Sequence, residues 1–225
     1  MKSLKGYFEY IDGKTYIDKY PSKIIRQKEL HQSILIEFGG GIGNDMEYMI
    51  SSLGLHPKNL FFIESDERAF KKAFKKLFTL FGRYRGHLIL CDIFNFEIKP
   101  ESADLVYANN FLHCLETRKK VKMCLKRAYK ILRKKGIFFG RTVGKIDMIK
   151  LKKLEKKKKK SFSERFIIKT TKAFIDGKLL LVTPENLKEL ALSVGFKRIT
   201  IVWDKSNWKP VRDYFFRLEK GEMIC

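Results

Sequence analysis

The sequence predicts an α/β protein with a doubly wound, mostly parallel seven-stranded sheet, an antiparallel C-terminal edge hairpin and helices on both faces. Three observations support this prediction. Short apolar runs alternate with segments of helical spacing from about residue 33 to 143. Several of these runs end at glycine or at an acidic residue, as buried parallel strands do at a functional edge. Two further strand patterns follow each other near the C-terminus with no helix between them.

The first part of the chain supplies five strands and three helices. The predicted strands are SILIEF (33–38), NLFFIE (59–64), HLILCD (87–92), ADLVYA (103–108) and IFFGRTV (137–143). Apolar residues three and four positions apart predict a helix in NDMEYMISSLGL and another over 66–81, where phenylalanines and lysines take opposite faces. A third helix is predicted near 117–133, and Gly136 is its predicted C-terminal cap.

The sequence pattern changes after the fifth predicted strand. A Lys-rich insertion at about 145–180 departs from the alternation of strand and helix. A helix is then predicted in TPENLKELALSVGF, because Thr183 suits the N-cap, Pro184 the first turn and Gly195 the end. KRITIVW and VRDYFFRL are the two strands of the edge hairpin.

The domain organisation follows from these elements. Residues 33–225 are predicted as a single domain that carries the insertion. Residues 1–32 are predicted as an N-terminal lid or extension. The oligomeric state is left open by the sequence.

The composition is strongly basic. Lys and Arg number 48 against 25 Asp and Glu, a formal net charge of +23. Such an excess favours contact with nucleic acid, anionic membrane surfaces or acidic substrates. Lysines make up 36 of the 48 cations, however, and lysine lacks the bidentate geometry with which arginine binds phosphate, so a biased composition explains the excess equally well.

Several function classes are excluded by what the sequence lacks. It has no apolar run long enough to span a membrane and no secretory signal pattern at its start. Its four cysteines have neither CxxC spacing nor the geometry of zinc ligands. We therefore expect a cytoplasmic protein, with the nucleus as the alternative, and no metal site.

Glycines mark the junction between the first strand and the first helix. The sequence Glu37-Phe38-Gly39-Gly40-Gly41-Ile42-Gly43 removes side chains where a ligand would approach the backbone, next to a helix N-terminus that attracts anionic groups. A dinucleotide fingerprint would need Gly or Ala at position 44, where this chain has Asn. The alternative is a tight strand-to-helix turn without a ligand.

Acidic residues close the next two strands. Glu64 ends the second strand, where its carboxylate would accept both hydroxyls of a ribose; its alternative role is to cap the following helix. Asp92 follows the third strand and would accept a hydrogen bond from an adenine amino group, with Ile93 against the ring; its alternative role is to form a turn.

These motifs, in this order, resemble the class I S-adenosylmethionine-dependent methyltransferases, a Rossmann-like superfamily. The resemblance rests on EFGGGIG, FFIESDERAF, LILCDIF, ADLVYANNFLHCL, LKRAYKILRKKGIFFGRTVG and the tail PENLKELALSVGFKRITIV. It implies S-adenosyl-L-methionine as the cofactor. Gly39, Gly41 and Gly43 would line its methionine part, with Glu37 holding the ammonium group. Glu64 would take the ribose, Ser65, Asp92 and Ile93 would lie at the adenine, and Asn109 would face the sulfonium.

The acceptor of the methyl group is less defined. Tyr107-Ala108-Asn109-Asn110-Phe111 is not the Asn-Pro-Pro-Tyr motif of enzymes that methylate the amino groups of bases or glutamine. His113 is a candidate general base, and a packed structural role is its alternative. With Asn109, it completes the candidate catalytic residues.

The lysines between Lys150 and Lys160 either contact a phosphate backbone or form a solvated loop. The sequence slightly favours a small-molecule acceptor. The alternatives are an RNA methyltransferase, or a catalytically silent basic protein that binds nucleic acid on the same fold.

Overall fold

The computed structural model describes residues 33–81, 86–204 and 210–221. The predicted lid at 1–32 lies outside these residues. The strands are β1 (Leu35–Phe38), β2 (Leu60–Glu64), β3 (His87–Leu90), β4 (Ala103–Asn109), β5 (Leu132–Ile146), β6 (Phe196–Trp203) and β7 (Val211–Lys220). The helices are α1 (Asn44–Ser51), α2 (Glu67–Phe81), α3 (Arg118–Ile131), α4 (Met148–Lys156), α5 (Phe162–Ile175) and α6 (Pro184–Val194). Two short 3₁₀ helices cover Pro57–Asn59 and Leu112–Cys114.

All seven strands form one sheet, in the order β3-β2-β1-β4-β5-β7-β6. The first five strands are parallel, and β7 lies antiparallel between β5 and β6. This arrangement confirms the predicted mostly parallel sheet and its antiparallel C-terminal hairpin. The order reverses between β1 and β4, which leaves a crevice at the carboxyl ends of these strands.

Helices cover both faces, because alternate side chains of each strand enter different cores. Leu35 of β1 packs with Met46 and Met49 of α1 and with side chains of α2. Ile36 and Phe38 of the same strand belong to the core that α3 and α6 complete. Among the described residues, no helix is long and apolar enough to cross a membrane.

Two local predictions need correction. Gly136 does not cap α3, which ends at Ile131, because Leu132 is already extended and pairs with Ala103 in the sheet. Gly136 lies within the irregular start of β5 instead.

The Lys-rich insertion also differs from one of its two alternatives, the solvated loop, since it forms two successive helices. Asp147 and Ser161 accept backbone hydrogen bonds at the starts of α4 and α5, and Glu164 completes a capping box with Ser161. Lys157–Lys160 connect the two helices.

Candidate functional site

The glycine loop joins β1 to α1 by a turn that only glycine forms without strain. Gly39, Gly41 and Gly43 have φ angles of 66°, 59° and 77°, in the left-handed region. The N–H of Gly39 donates to the carbonyl of Ile63 on β2, at 2.9 Å. Gly43 is the N-cap of α1 and provides no side-chain acceptor, so the sequence leaves the start of this helix open to a ligand.

Aromatic side chains pack tightly against this loop. A Cβ atom on Gly39 would overlap the ring of Phe111, and one on Gly40 would overlap the ring of Phe62. The absence of side chains at these two positions is therefore required by internal packing. Sequence reasoning did not predict the contact with Phe111, which follows β4.

Glu37 is the most unusual group of the site. Its side chain is on β1 and is only 2% exposed, and no donor among the described residues reaches its buried Oε2 atom. Burial raises the pKa of the Glu37 carboxyl, and the nearby carboxylates of Asp45 and Glu64 raise it further. An unpaired buried carboxylate is costly, so this position fits a ligand that brings a positively charged donor.

Asp45 was not predicted from the sequence. It lies in the first turn of α1, and its Oδ2 atom accepts hydrogen bonds from the Tyr107 hydroxyl at 3.1 Å and from Asn109 Nδ2 at 2.7 Å. Asn109 is thereby held at the end of β4, beside the glycine loop, with its buried Oδ1 atom unbonded within the described part of the chain. An acidic residue two positions after the last glycine of the loop was the available signal.

Glu64 connects two parts of the site through its carboxylate. Its Oε2 atom accepts from the N–H of Gly41 at 2.7 Å, and its Oε1 atom accepts from the N–H groups of Ser65 and Asp66, both at 2.8 Å. Burial raises the pKa of Glu64, and these three N–H groups oppose the rise. The alternative role as the N-cap of α2 is not present, because Asp66 holds that position and its Oδ1 atom accepts from the N–H of Ala69 at 2.8 Å. Glu64 binds the turn before the helix instead. A carboxylate accepts about four hydrogen bonds, so its contact with a ribose stays a prediction.

The residues expected near adenine follow β3. Asp92 is exposed, and its Oδ1 atom accepts from the N–H of Phe94 at 2.9 Å, as a turn former does. Ile93 is buried in the core beside the sheet. Ser65 is exposed at the end of β2, and the roles of these three residues toward adenine stay predictions.

His113 is enclosed in the 3₁₀ helix that follows β4. Its Nδ1 atom lies 3.4 Å from Thr142 Oγ1, and its ring centroid lies 5.5 Å from that of Phe174 on α5. Burial, and secondarily the charge of Arg141, lower the pKa of His113 to about 4. The imidazole is therefore neutral at pH 7 and packed in the interior, which agrees with the alternative of a structural role. Its catalytic role stays a prediction.

A buried ion-pair network, also missed from the sequence, lies next to the site on β5. Arg141 pairs in the sheet with Asn109, and its guanidinium binds the carboxylates of Asp213 and Asp204. The C-terminal hairpin brings Asp204 and Asp213 to Arg141 on β5, which explains why linear sequence motifs did not reveal this network.

The electrostatic character of the site follows from its acidic groups. Glu37, Asp45 and Glu64 come from three different elements and meet around one glycine loop. This local negative charge contrasts with the basic composition of the chain. The described residues include no group of three His, Cys, Asp or Glu side chains able to hold a metal. The geometry favours an organic ligand with positive charge near β1 and with hydrogen-bonding hydroxyls near β2.

Comparison with known proteins identifies one matching family model. Residues 36–140 match the family model described as a methyltransferase domain. No curated protein sequence matches the chain. The sequence match therefore covers β1 to the middle of β5, the part that contains the glycine loop and Asn109.

Solved structures share the fold at low identity. A phosphoethanolamine N-methyltransferase 2 of Haemonchus contortus in complex with S-adenosyl-L-methionine has a TM-score of 0.65 at 15% identity, over 90% of this chain and 52% of that one. This chain thus spans about half the length of that structure. A Methanosarcina mazei S-adenosylmethionine-dependent methyltransferase has a TM-score of 0.64 at 14% identity, over 91% and 99% of the two chains. A Thermotoga maritima methyltransferase, described as a possible histamine N-methyltransferase, has a TM-score of 0.54 at 20% identity, over 89% and 87%.

Proposed function

We propose that this chain is a class I S-adenosylmethionine-dependent methyltransferase, which transfers a methyl group from S-adenosylmethionine to an acceptor nucleophile. The observation that carries the proposal is the buried, unpaired Oε2 atom of Glu37 beside a glycine loop. A catalytically silent binding protein is the alternative, but it has no physical need to keep a costly buried carboxylate there.

The residues present fit the cofactor. Glu37 would hold its ammonium group, the backbone of Gly39, Gly41 and Gly43 would line its methionine part, and Glu64 would accept from its ribose. Asn109 would lie at the sulfonium, and Ser65, Asp92 and Ile93 would surround the adenine. When bound, the cofactor supplies an activated methyl group on a sulfonium that leaves as a neutral thioether.

The protein's own contribution is positioning and exclusion of water. Asp45 fixes Asn109 through a 2.7 Å hydrogen bond, and Phe111 packs on the glycine loop. His113 is neutral at pH 7. It is able to take a proton from the methyl acceptor only if that molecule reaches its buried ring. The reaction needs no strong base when the acceptor is itself a good nucleophile.

Two acceptor classes stay open as proposals. The small molecule that the sequence favours is supported by relatives whose names specify phosphoethanolamine and histamine. RNA is supported by the cations of the insertion. Calorimetry with S-adenosylmethionine and its demethylated product tests the cofactor, and transfer of a tritiated methyl group into fractionated cell extract identifies the acceptor class. Absence of binding heat with the folded protein would favour the silent binding protein.

Replacing Glu37 with Gln is expected to weaken S-adenosylmethionine binding about tenfold or more, because a charge-assisted hydrogen bond is lost. The free protein should become more stable at pH 7. The raised pKa of Glu37 means that folding disfavours its charged form, so its contribution to stability falls as pH rises above the ordinary value near 4.5. Calorimetric titration and denaturant unfolding at several pH values measure both effects.

Glu67→Gln is the matched control, since Glu67 is exposed at the start of α2. This variant should bind the cofactor normally. Cofactor affinity of the wild type should also decline toward acid pH as Glu37 becomes protonated. Equal affinity of wild type and Glu37→Gln would remove Glu37 from the site.

A further inference from the structure

The outer face of α5 carries a row of cations that the proposed reaction does not use. Arg165, Lys169 and Lys172 are all exposed, and their spacing of four and three residues places them on one side of the helix. Phe162 precedes Arg165 by one helical turn on the same side and is 56% exposed. An aromatic ring followed by aligned cations is the arrangement with which proteins stack bases and track a phosphate backbone.

These cations line an open groove of about 590 Å³ beside α5, here called the α5 groove. Its charged lining residues are Lys160, Arg165, Lys169, Lys172, Lys178, Glu155 and Asp176. Five cations against two carboxylates leave a net positive charge. Lys172 pairs with Glu155 at 2.9 Å and Lys178 with Asp176 at 3.4 Å, but these pairs are solvent-exposed and compete weakly with a polyanion.

The opposite face of α5 attaches the groove to the candidate active site. Phe174 is buried there and packs against the ring of His113. The N–H of Leu180, just after the helix, donates to the carbonyl of His113 at 2.9 Å. His113 follows β4, the strand that ends at Asn109. The α5 groove and the residues expected at the transferred methyl group therefore lie on opposite sides of α5.

The length of the cation row decides between a small anion and a polymer. Arg165 and Lys172 are seven residues apart, which corresponds to about 10 Å along an α-helix. A single phosphate group would use one or two of these cations, whereas consecutive phosphates of an extended strand would use all of them. The open shape and the exposed ring of Phe162 also suit unstacked bases rather than a base-paired helix.

We propose that the α5 groove binds the sugar–phosphate backbone of single-stranded nucleic acid and presents it to the active site as the methyl acceptor. The role of the bound nucleic acid as methyl acceptor rests on the proposed function, whereas its binding in the groove does not. Arg165, Lys169 and Lys172 contact phosphates, and Phe162 stacks on a base. The lysines Lys156–Lys159 lie outside the groove lining and add only general positive charge.

The test measures binding of short fluorescent single-stranded RNA and DNA of one sequence to the full chain at several salt concentrations. The groove variant is R165Q/K169Q/K172Q. Its control is R68Q/K72Q/K75Q on α2, which removes the same residue types at the same spacing from another exposed helix face. For the groove variant we expect the slope of log affinity against log salt to fall by about 2, at about 0.7 for each of three lost phosphate contacts. The control should keep its slope nearly unchanged.

Phe162→Ala separates stacking from charge. It should weaken binding about tenfold and leave the salt slope unchanged, because stacking releases no counterions. Equal slope changes in the two triple variants would overturn the groove and leave only non-specific attraction to a basic protein. Loss of binding to phosphatidylcholine–phosphatidylglycerol vesicles in the groove variant, with nucleic acid binding retained, would also overturn it in favour of a membrane surface.

Two further measurements separate this inference from the proposed function. Calorimetry with S-adenosylmethionine should give the same affinity for both triple variants and the wild type. Absence of cofactor binding in the wild type would refute the proposed function while the salt slopes still test the groove. Transfer of a labelled methyl group into the RNA or the DNA probe identifies the acceptor, and a cofactor-binding enzyme that labels neither would refute the acceptor role.

Discussion

Replacing Gly41 with valine is expected to abolish S-adenosylmethionine binding, with affinity reduced by more than about a hundredfold, in a protein that still folds. Gly41 has a φ angle of 59°, and a β-branched residue is a severe outlier in this region. Its N–H also donates to Glu64, so a shift of the loop would break the connection between the glycine loop and β2. The expected cofactor follows this backbone closely, and a rearranged loop would block its path.

Gly54→Val is the matched control for backbone strain. Gly54 also has a left-handed φ angle, 71°, but a Cβ atom there meets no other atom within 4 Å. Both variants should lose comparable stability in denaturant unfolding, of the order of 1–3 kcal/mol. Only Gly41→Val should lose cofactor binding in calorimetry. Normal binding by Gly41→Val would reduce the glycine loop to a tight turn.

The fold could be predicted from the sequence because its strands are short, buried and separated by amphipathic helices. Both faces of β1 are covered, so Leu35–Phe38 form a continuous apolar run except for Glu37, and the glycines that follow this strand identified the site. The start of β5 could not be predicted. Its first residues pair with Ala103 of β4, a long-range contact that overrides the glycine signal at Gly136.

Site residues at the ends of strands could be predicted from the sequence. Site residues whose role depends on contacts between elements could not. Glu64 was found because it closes an apolar strand, and Glu37 because it belongs to the glycine motif on which the family resemblance rests. Asp45 was missed because its role appears only when α1 faces Tyr107 and Asn109 across the fold. The three backbone partners of Glu64 were likewise invisible in sequence, apart from the general tendency of acidic residues to cap helices.

Glu64→Ala is expected to affect stability and binding together. The substitution leaves the N–H groups of Gly41, Ser65 and Asp66 without their acceptor, which should lower the free energy of unfolding by about 2–3 kcal/mol. Affinity for S-adenosylmethionine should fall by a further 1–3 kcal/mol, roughly, because the ribose loses a charged acceptor. Denaturant unfolding and calorimetric titration measure the two losses separately. Glu67→Ala, three residues further along the chain and exposed, should change neither by more than about 0.5 kcal/mol.

The backbone contacts of Glu64 and its predicted ribose contact are distinguished by changing the ligand as well as the protein. The demethylated product and its 2′-deoxy analogue differ only at the ribose hydroxyl. If Glu64 binds that hydroxyl, the wild type should prefer the complete ligand about tenfold, and Glu64→Ala should lose this preference, a coupling that a double-mutant cycle isolates. If Glu64 only holds these backbone N–H groups, both proteins should show the same preference while Glu64→Ala remains less stable. Equal preferences in the two proteins would therefore confine Glu64 to holding the glycine loop. Of the carboxylates of Glu37, Asp45 and Glu64, only that of Glu37 would then be in direct contact with the cofactor.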